Sequence, residues 1–86
     1  MTTIRGARAS RIGRDDRILG GAPVIRGTRV PVRAIAFLWR ATGDPARILR
    51  DYPHLSPEDV EAAIRYYQAH QAEIDADLQD ELGAQG

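Results

Sequence analysis

Asp44-Pro-Ala-Arg-Ile-Leu-Arg-Asp-Tyr-Pro-His-Leu-Ser-Pro-Glu-Asp-Val60 carries two helix starts in close succession. Asp44 before Pro45 joins a capping carboxylate to a proline at the first helical position, where the missing N–H costs nothing. Ile48, Leu49 and Tyr52 give that short helix a buried side, and Pro53 closes it. Ser56 before Pro57 repeats the signal, with Glu58 and Asp59 adding negative charge at the positive end of the next helix. The tight connection from Tyr52 to Ser56 makes the pair a candidate helix-turn-helix.

Upstream, Val32, Ile35, Ala36 and Trp39 fall on one helical face that Phe37 and Leu38 widen, and Gly43 is a natural stop. From Ile12 to Val32 the pattern changes to short β-prone runs broken by Gly20, Gly21, Pro23 and Gly27. Val24 and Ile25, then Arg26 and Gly27, then Thr28, Arg29 and Val30 predict a two-residue hairpin that Pro31 ends. Downstream, Val60, Ile64, Tyr67, Gln71, Ile74, Leu78 and Leu82 recur at helical spacing, with no breaker before Gly83. One helix from Pro57 to Leu82 would run about 39 Å at 1.5 Å per residue, longer than a domain of this size needs. Its far turns are therefore expected to protrude.

Charge is unevenly spread along the 86 residues, although the formal net charge is zero. Residues 1–50 hold eleven arginines against three acids, and residues 51–86 hold one arginine against nine acids. Arg5, Arg8, Arg11, Arg14 and Arg17 recur at every third position, which lines one face of an extended chain. Such a segment suits a phosphate backbone, and an acidic half suits a basic protein. Internal pairing of these arginines, together with burial of Ile74 and Leu78, would remove the ground for both surfaces.

Chemistry is poorly represented. Cysteine is absent, so neither a disulfide framework nor a thiolate metal site is available. His54 and His70 lack partners at metal-ligand spacing. The glycines are followed by no Lys-Ser/Thr pair that would make a phosphate loop, and Ser10 and Ser56 have no base beside them. No apolar run is long enough for a membrane span. The residues therefore predict a cytoplasmic, non-catalytic protein without cofactor or metal. So short a chain has a marginal core, and a homodimer is expected to supplement it.

The run Gly21-Ala-Pro-Val-Ile-Arg-Gly-Thr-Arg-Val-Pro-Val32, followed by Ile48 to Val60 and Ala62-Ala-Ile64, resembles the bacterial domain-of-unknown-function family 433 over roughly Ile12 to Tyr67. The resemblance implies a small homeodomain-like helix-turn-helix protein with an N-terminal hairpin. It also implies a VapB-like antitoxin role: direct neutralisation of a PIN-like nuclease toxin, and binding of the shared operator DNA. Among the matched residues, Arg26, Gly27, Thr28 and Arg29 are carried over as hairpin and surface positions.

The combined expectation is a mostly α fold of three helices, the last one long, behind a small β-hairpin. A basic arm spans residues 1–11, the hairpin and helix-turn-helix span 12–70, and an acidic helical tail spans 71–86. Double-stranded DNA would meet Arg5, Arg8, Arg11, Arg14, Arg17, Arg26, Thr28, Arg29 and Arg33, with Arg40, Arg47 and Arg50 as further phosphate contacts. The toxin would meet Arg65, Ile74, Asp75, Asp77, Leu78, Glu81 and Leu82. A stand-alone DNA-binding regulator and a protein-protein adaptor are the alternatives. Glu58, Asp59 and Glu61 argue against the helix opening at Pro57 as the groove reader, because carboxylates there repel phosphates.

Overall fold

A computed structural model of the chain describes residues 11–17 and 19–85, with side chains through Gln79. Among the described residues, two short antiparallel strands precede four helices. Strand β1 (Ile12–Gly13) pairs with β2 (Val24–Ile25), Ile12 opposite Ile25 and Gly13 opposite Val24. A 3-10 turn over Leu19–Gly21 lies between them.

The sequence predicted that β2 would turn straight back on Thr28–Val30 through two residues. The tight turn at Arg26 and Gly27 is present, the Thr28 N–H donating to the Ile25 carbonyl at 3.1 Å, but the chain does not pair back from Thr28: the Ile25 N–H donates to the Val30 carbonyl, which makes the loop four residues long. Gly27 takes the positive φ of +81° that such a turn requires. The Thr28 hydroxyl donates to the Ile25 carbonyl at 2.7 Å and accepts from the Val30 N–H at 3.0 Å, bracing the loop from inside. Pro31 has no N–H for a ladder, and the return stretch makes only an isolated bridge from Pro31 to Val24. The main partner of β2 is thus β1, a pairing that the run 24–30 alone does not show.

Helix α1 (Val32–Thr42) buries Val32, Ile35 and Ala36, and ends on Gly43 in the left-handed conformation, its N–H bonded to the Trp39 carbonyl. Helix α2 (Pro45–Asp51) starts where Asp44 accepts from the Ala46 N–H at 3.0 Å, and buries Ile48. Helix α3 (Pro57–Ala69) opens on a reciprocal box: the Ser56 hydroxyl accepts from the Asp59 N–H, and the Asp59 carboxylate accepts from the Ser56 N–H, both at 3.1 Å. Both helix starts read from the sequence are therefore present.

The single helix from Pro57 to Leu82 is not. The chain kinks at His70 (φ −132°, ψ 43°) and restarts as α4 (Gln71–Gln85). The physical reason is Ile74, which the kink carries into the core, where it is 0% exposed. It joins one cluster with Ile25, Ile35, Ile48, Val60, Ile64 and Tyr67. The Tyr67 hydroxyl then donates to Asp75 at 3.0 Å across the break. The start of the acidic tail is core-forming structure and not an appendage.

Candidate nucleic-acid and partner interfaces

Folding brings the two oppositely charged halves of the chain together. The Arg11 guanidinium donates to Asp59 at 2.7 Å, and Arg40 donates to Asp75 at 3.2 Å. Arg14 pairs with Glu73 and also donates to the Tyr66 hydroxyl. Two pairs form closer in sequence, Arg17 with Asp15 at 3.1 Å and Arg65 with Glu61 at 3.0 Å. The Arg17 side chain, and then its backbone N–H, hold the Asp15 carboxyl below the ordinary carboxylate range. Burial pushes Asp59 up, but the Ser56 N–H and the Arg11 guanidinium outweigh it and hold that carboxyl below its usual range.

The arginines expected to bind DNA consequently divide. Arg5 and Arg8 lie outside the described residues. Arg11, Arg14 and Arg17 are the internally paired ones just named, and Arg11 lies against β2, its carbonyl accepting the Arg26 N–H at 2.8 Å. That removes Arg11 from the arm and corrects the idea of a free guanidinium row from Arg11 to Arg17. Thr28 is half-buried and spends its hydroxyl on the loop. Arg33 is half-buried and has a partner. By contrast Arg26, Arg29, Arg47 and Arg50 are exposed and form no ion pair among the described residues. The field of Arg29 reaches Asp15 without a direct contact.

Backbone geometry sets where these four side chains stand. Arg26 and Arg29 occupy the four-residue loop beside Gly27. The Arg26 guanidinium crosses the sheet above Gly13, where an added Cβ would come within 2.9 Å of it. Arg47 and Arg50 belong to α2, whose single fully buried residue is Ile48.

The residues expected to meet a toxin also separate. Ile74 is fully buried, so it is no exposed anchor, and Asp75 is engaged by both Tyr67 and Arg40. With Arg11, Arg14 and Arg17 paired as well and Leu78 half-buried, the ground that these residues gave for the two surfaces is largely removed, and any such surface has to rest on other side chains. Burial first, then the hydrogen bond to Asp75, raises the Tyr67 phenol above its usual pKa. Arg65 is exposed but tied to Glu61 four residues back. Asp77 and Leu78 are half-buried on different sides of α4: Asp77 faces a cleft with Arg14, Arg33 and Glu73, and Leu78 faces one with Phe37 and Arg40. Side chains at Glu81 and Leu82 lie outside the described ones. Sequence reasoning used Phe37 only to widen a core face, yet it is 55% exposed. Its place one residue beyond the buried pair Ile35 and Ala36 was the available signal.

Among the described residues no helix is long and apolar enough to cross a membrane, and no group of three acidic, histidine or cysteine side chains is disposed to hold a metal ion.

Comparison with known proteins adds the following. Residues 12–67 match the family model described as "Protein of unknown function (DUF433)". The chain is 43% identical over 53 residues to "Uncharacterized protein y4eO" of Sinorhizobium fredii (strain NBRC 101917 / NGR234), a stretch covering 62% of this chain. It spans only 24% of that relative's length. A crystal structure of a DUF433 member protein from Anabaena variabilis ATCC 29413 is similar with a TM-score of 0.76 at 27% identity, covering 91% of this chain and 76% of the other.

Proposed function

We propose that this chain, which belongs to the protein family of unknown function DUF433, is a non-catalytic binding protein of the VapB-like antitoxin kind. It grips operator DNA by its phosphates and neutralises a PIN-like nuclease toxin by covering it. The observation that carries the nucleic-acid half is the set Arg26, Arg29, Arg47 and Arg50, exposed and outside every ion pair of the described residues. Guanidinium groups with no internal carboxylate are the ones available to phosphate oxygens, which they meet in a bidentate fork. In this reading α2, the connection and α3 act as a helix-turn-helix that is held against the backbone by the loop and by α2. Helix α3 does not read a groove, since its first turn presents Glu58 and keeps Asp59 on Arg11.

The toxin half rests on the resemblance and on the acids of α4. With Glu73 held by Arg14 and Asp75 by Arg40 and Tyr67, the acids that α4 has left are Asp77, Asp80 and Glu81. Basic groups of the toxin would meet these carboxylates. The chain should co-purify with the product of the adjacent gene and block its nuclease activity. Asp77→Arg combined with Glu81→Arg should abolish the block while leaving the helical circular dichroism unchanged. A neighbouring product that is no nuclease, or a block indifferent to the charge reversal, would refute the antitoxin reading. DNA binding without any toxin would then favour a stand-alone regulator.

A further inference from the structure

Strand β1 carries a glycine that its backbone does not require. Gly13 pairs with Val24 in the sheet and is not among the glycines at positive φ, which are Gly20, Gly21, Gly27 and Gly43. Glycine in a strand costs chain entropy and packs no side chain, so an ordinary residue would serve the ladder better. The space such a side chain would fill belongs to Arg26. The Arg26 N–H donates to the Arg11 carbonyl at 2.8 Å, which puts Gly13 diagonally across the ladder, within reach of a long side chain.

An added Cβ on Gly13 would stand 2.9 Å from Arg26 Cζ and 3.1 Å from both Nε and Nη2. An approach in the guanidinium plane between those two nitrogens would bring them nearer than the carbon, so the group lies face-on to the glycine. Its face is thus taken up by backbone, while its N–H groups point outward in the plane and meet no carboxylate among the described residues. That in-plane fork is the part of arginine that meets two phosphate oxygens. A guanidinium already laid down also loses less freedom on binding than one swinging on a free side chain.

We infer that Gly13 is a positioning residue for phosphate binding: by lacking a side chain it seats the Arg26 guanidinium flat on β1 with its fork open. The inference rests on the phosphate-binding role proposed above for Arg26.

Gly13→Ala tests it. The backbone at position 13 accepts alanine, and the clash falls on the far end of a flexible side chain, so the variant should keep its helical circular dichroism and melt no lower than the parent chain. In the free protein, NMR relaxation of the Arg26 Nε–H group should show a more mobile guanidinium in the variant, and equal mobility would overturn the inference. Affinity for a short mixed-sequence DNA duplex should fall about 2- to 12-fold, the cost of ordering one long side chain. The salt slope should not change, because the charge is still present. Arg26→Ala should instead flatten that slope by about 0.9. Gly13→Ala added to Arg26→Ala or to Arg26→Lys should weaken binding no further, since neither replacement has a flat group to seat. Weakened binding by Arg26→Ala beside parent-like binding by Gly13→Ala would overturn the role of Gly13 and leave the phosphate reading standing. Parent-like binding by Arg26→Ala would overturn that reading for Arg26, and the role of Gly13 with it.

Discussion

Asp59 performs two jobs with one carboxylate. It closes the helix box with Ser56 and receives Arg11 from the strand side, tying β1 to α3. Its carboxyl is held below the usual range against the opposing effect of burial. A carboxylate whose folded pKa lies below its unfolded value stabilises the fold above the ordinary carboxylate range, and that contribution disappears as pH falls through the lowered value. Asp59→Asn should therefore cost about 1 kcal/mol at neutral pH, a difference that shrinks as pH drops below about 4. Urea unfolding midpoints of both proteins across that range check the prediction, and a gap that persists in acid would contradict it. The cap at Ser56 is legible from Ser-Pro-Glu-Asp, since all its parts lie within four residues. Arg11 as the second partner is not, because 48 positions separate it from Asp59 and only tertiary folding joins them.

At the scale of elements, the kink at His70 decides what the acidic segment is. No glycine or proline announces it, and the apolar spacing runs on through Ile74 and Leu78 as if the helix were continuous. Gln71, a polar residue at a stripe position and exposed, is the weak signal. Burial of Ile74 and the Tyr67–Asp75 hydrogen bond reward the break, and such contacts outweigh local helix preference. A straight helix predicts that truncation after Gln71 leaves the fold intact. The kinked one predicts that truncation lowers the melting temperature sharply, and that Ile74→Ala alone costs about 2 to 5 kcal/mol. Thermal unfolding of Ile74→Ala distinguishes them, since loss of an exposed anchor would leave the melting temperature unchanged. Helices α1 to α3 were within reach of the sequence because Asp44, Gly43 and Ser56 mark their ends locally. The partner of β2 was not, because the pairing of Ile12 with Ile25 spans the intervening turn.

Over the whole molecule, the separation of charge along the chain becomes contact between its halves. Arg11, Arg14 and Arg40 of the basic half meet Asp59, Glu73 and Asp75 of the acidic half. Each such exposed pair adds no more than about 1 kcal/mol. Their larger effect is to divide the arginines into those already answered by carboxylates and those that are not. Composition reveals that a basic half exists, but it cannot assign that division, which depends on positions far apart in sequence. The most direct test is DNA affinity measured against salt for the parent chain and for a variant with Arg26, Arg29, Arg47 and Arg50 replaced by alanine. If these four contact phosphates, the slope of log affinity against log salt should flatten by about 3.6 in the variant. An unchanged slope, or a parent chain whose DNA affinity does not depend on salt, would contradict the assignment.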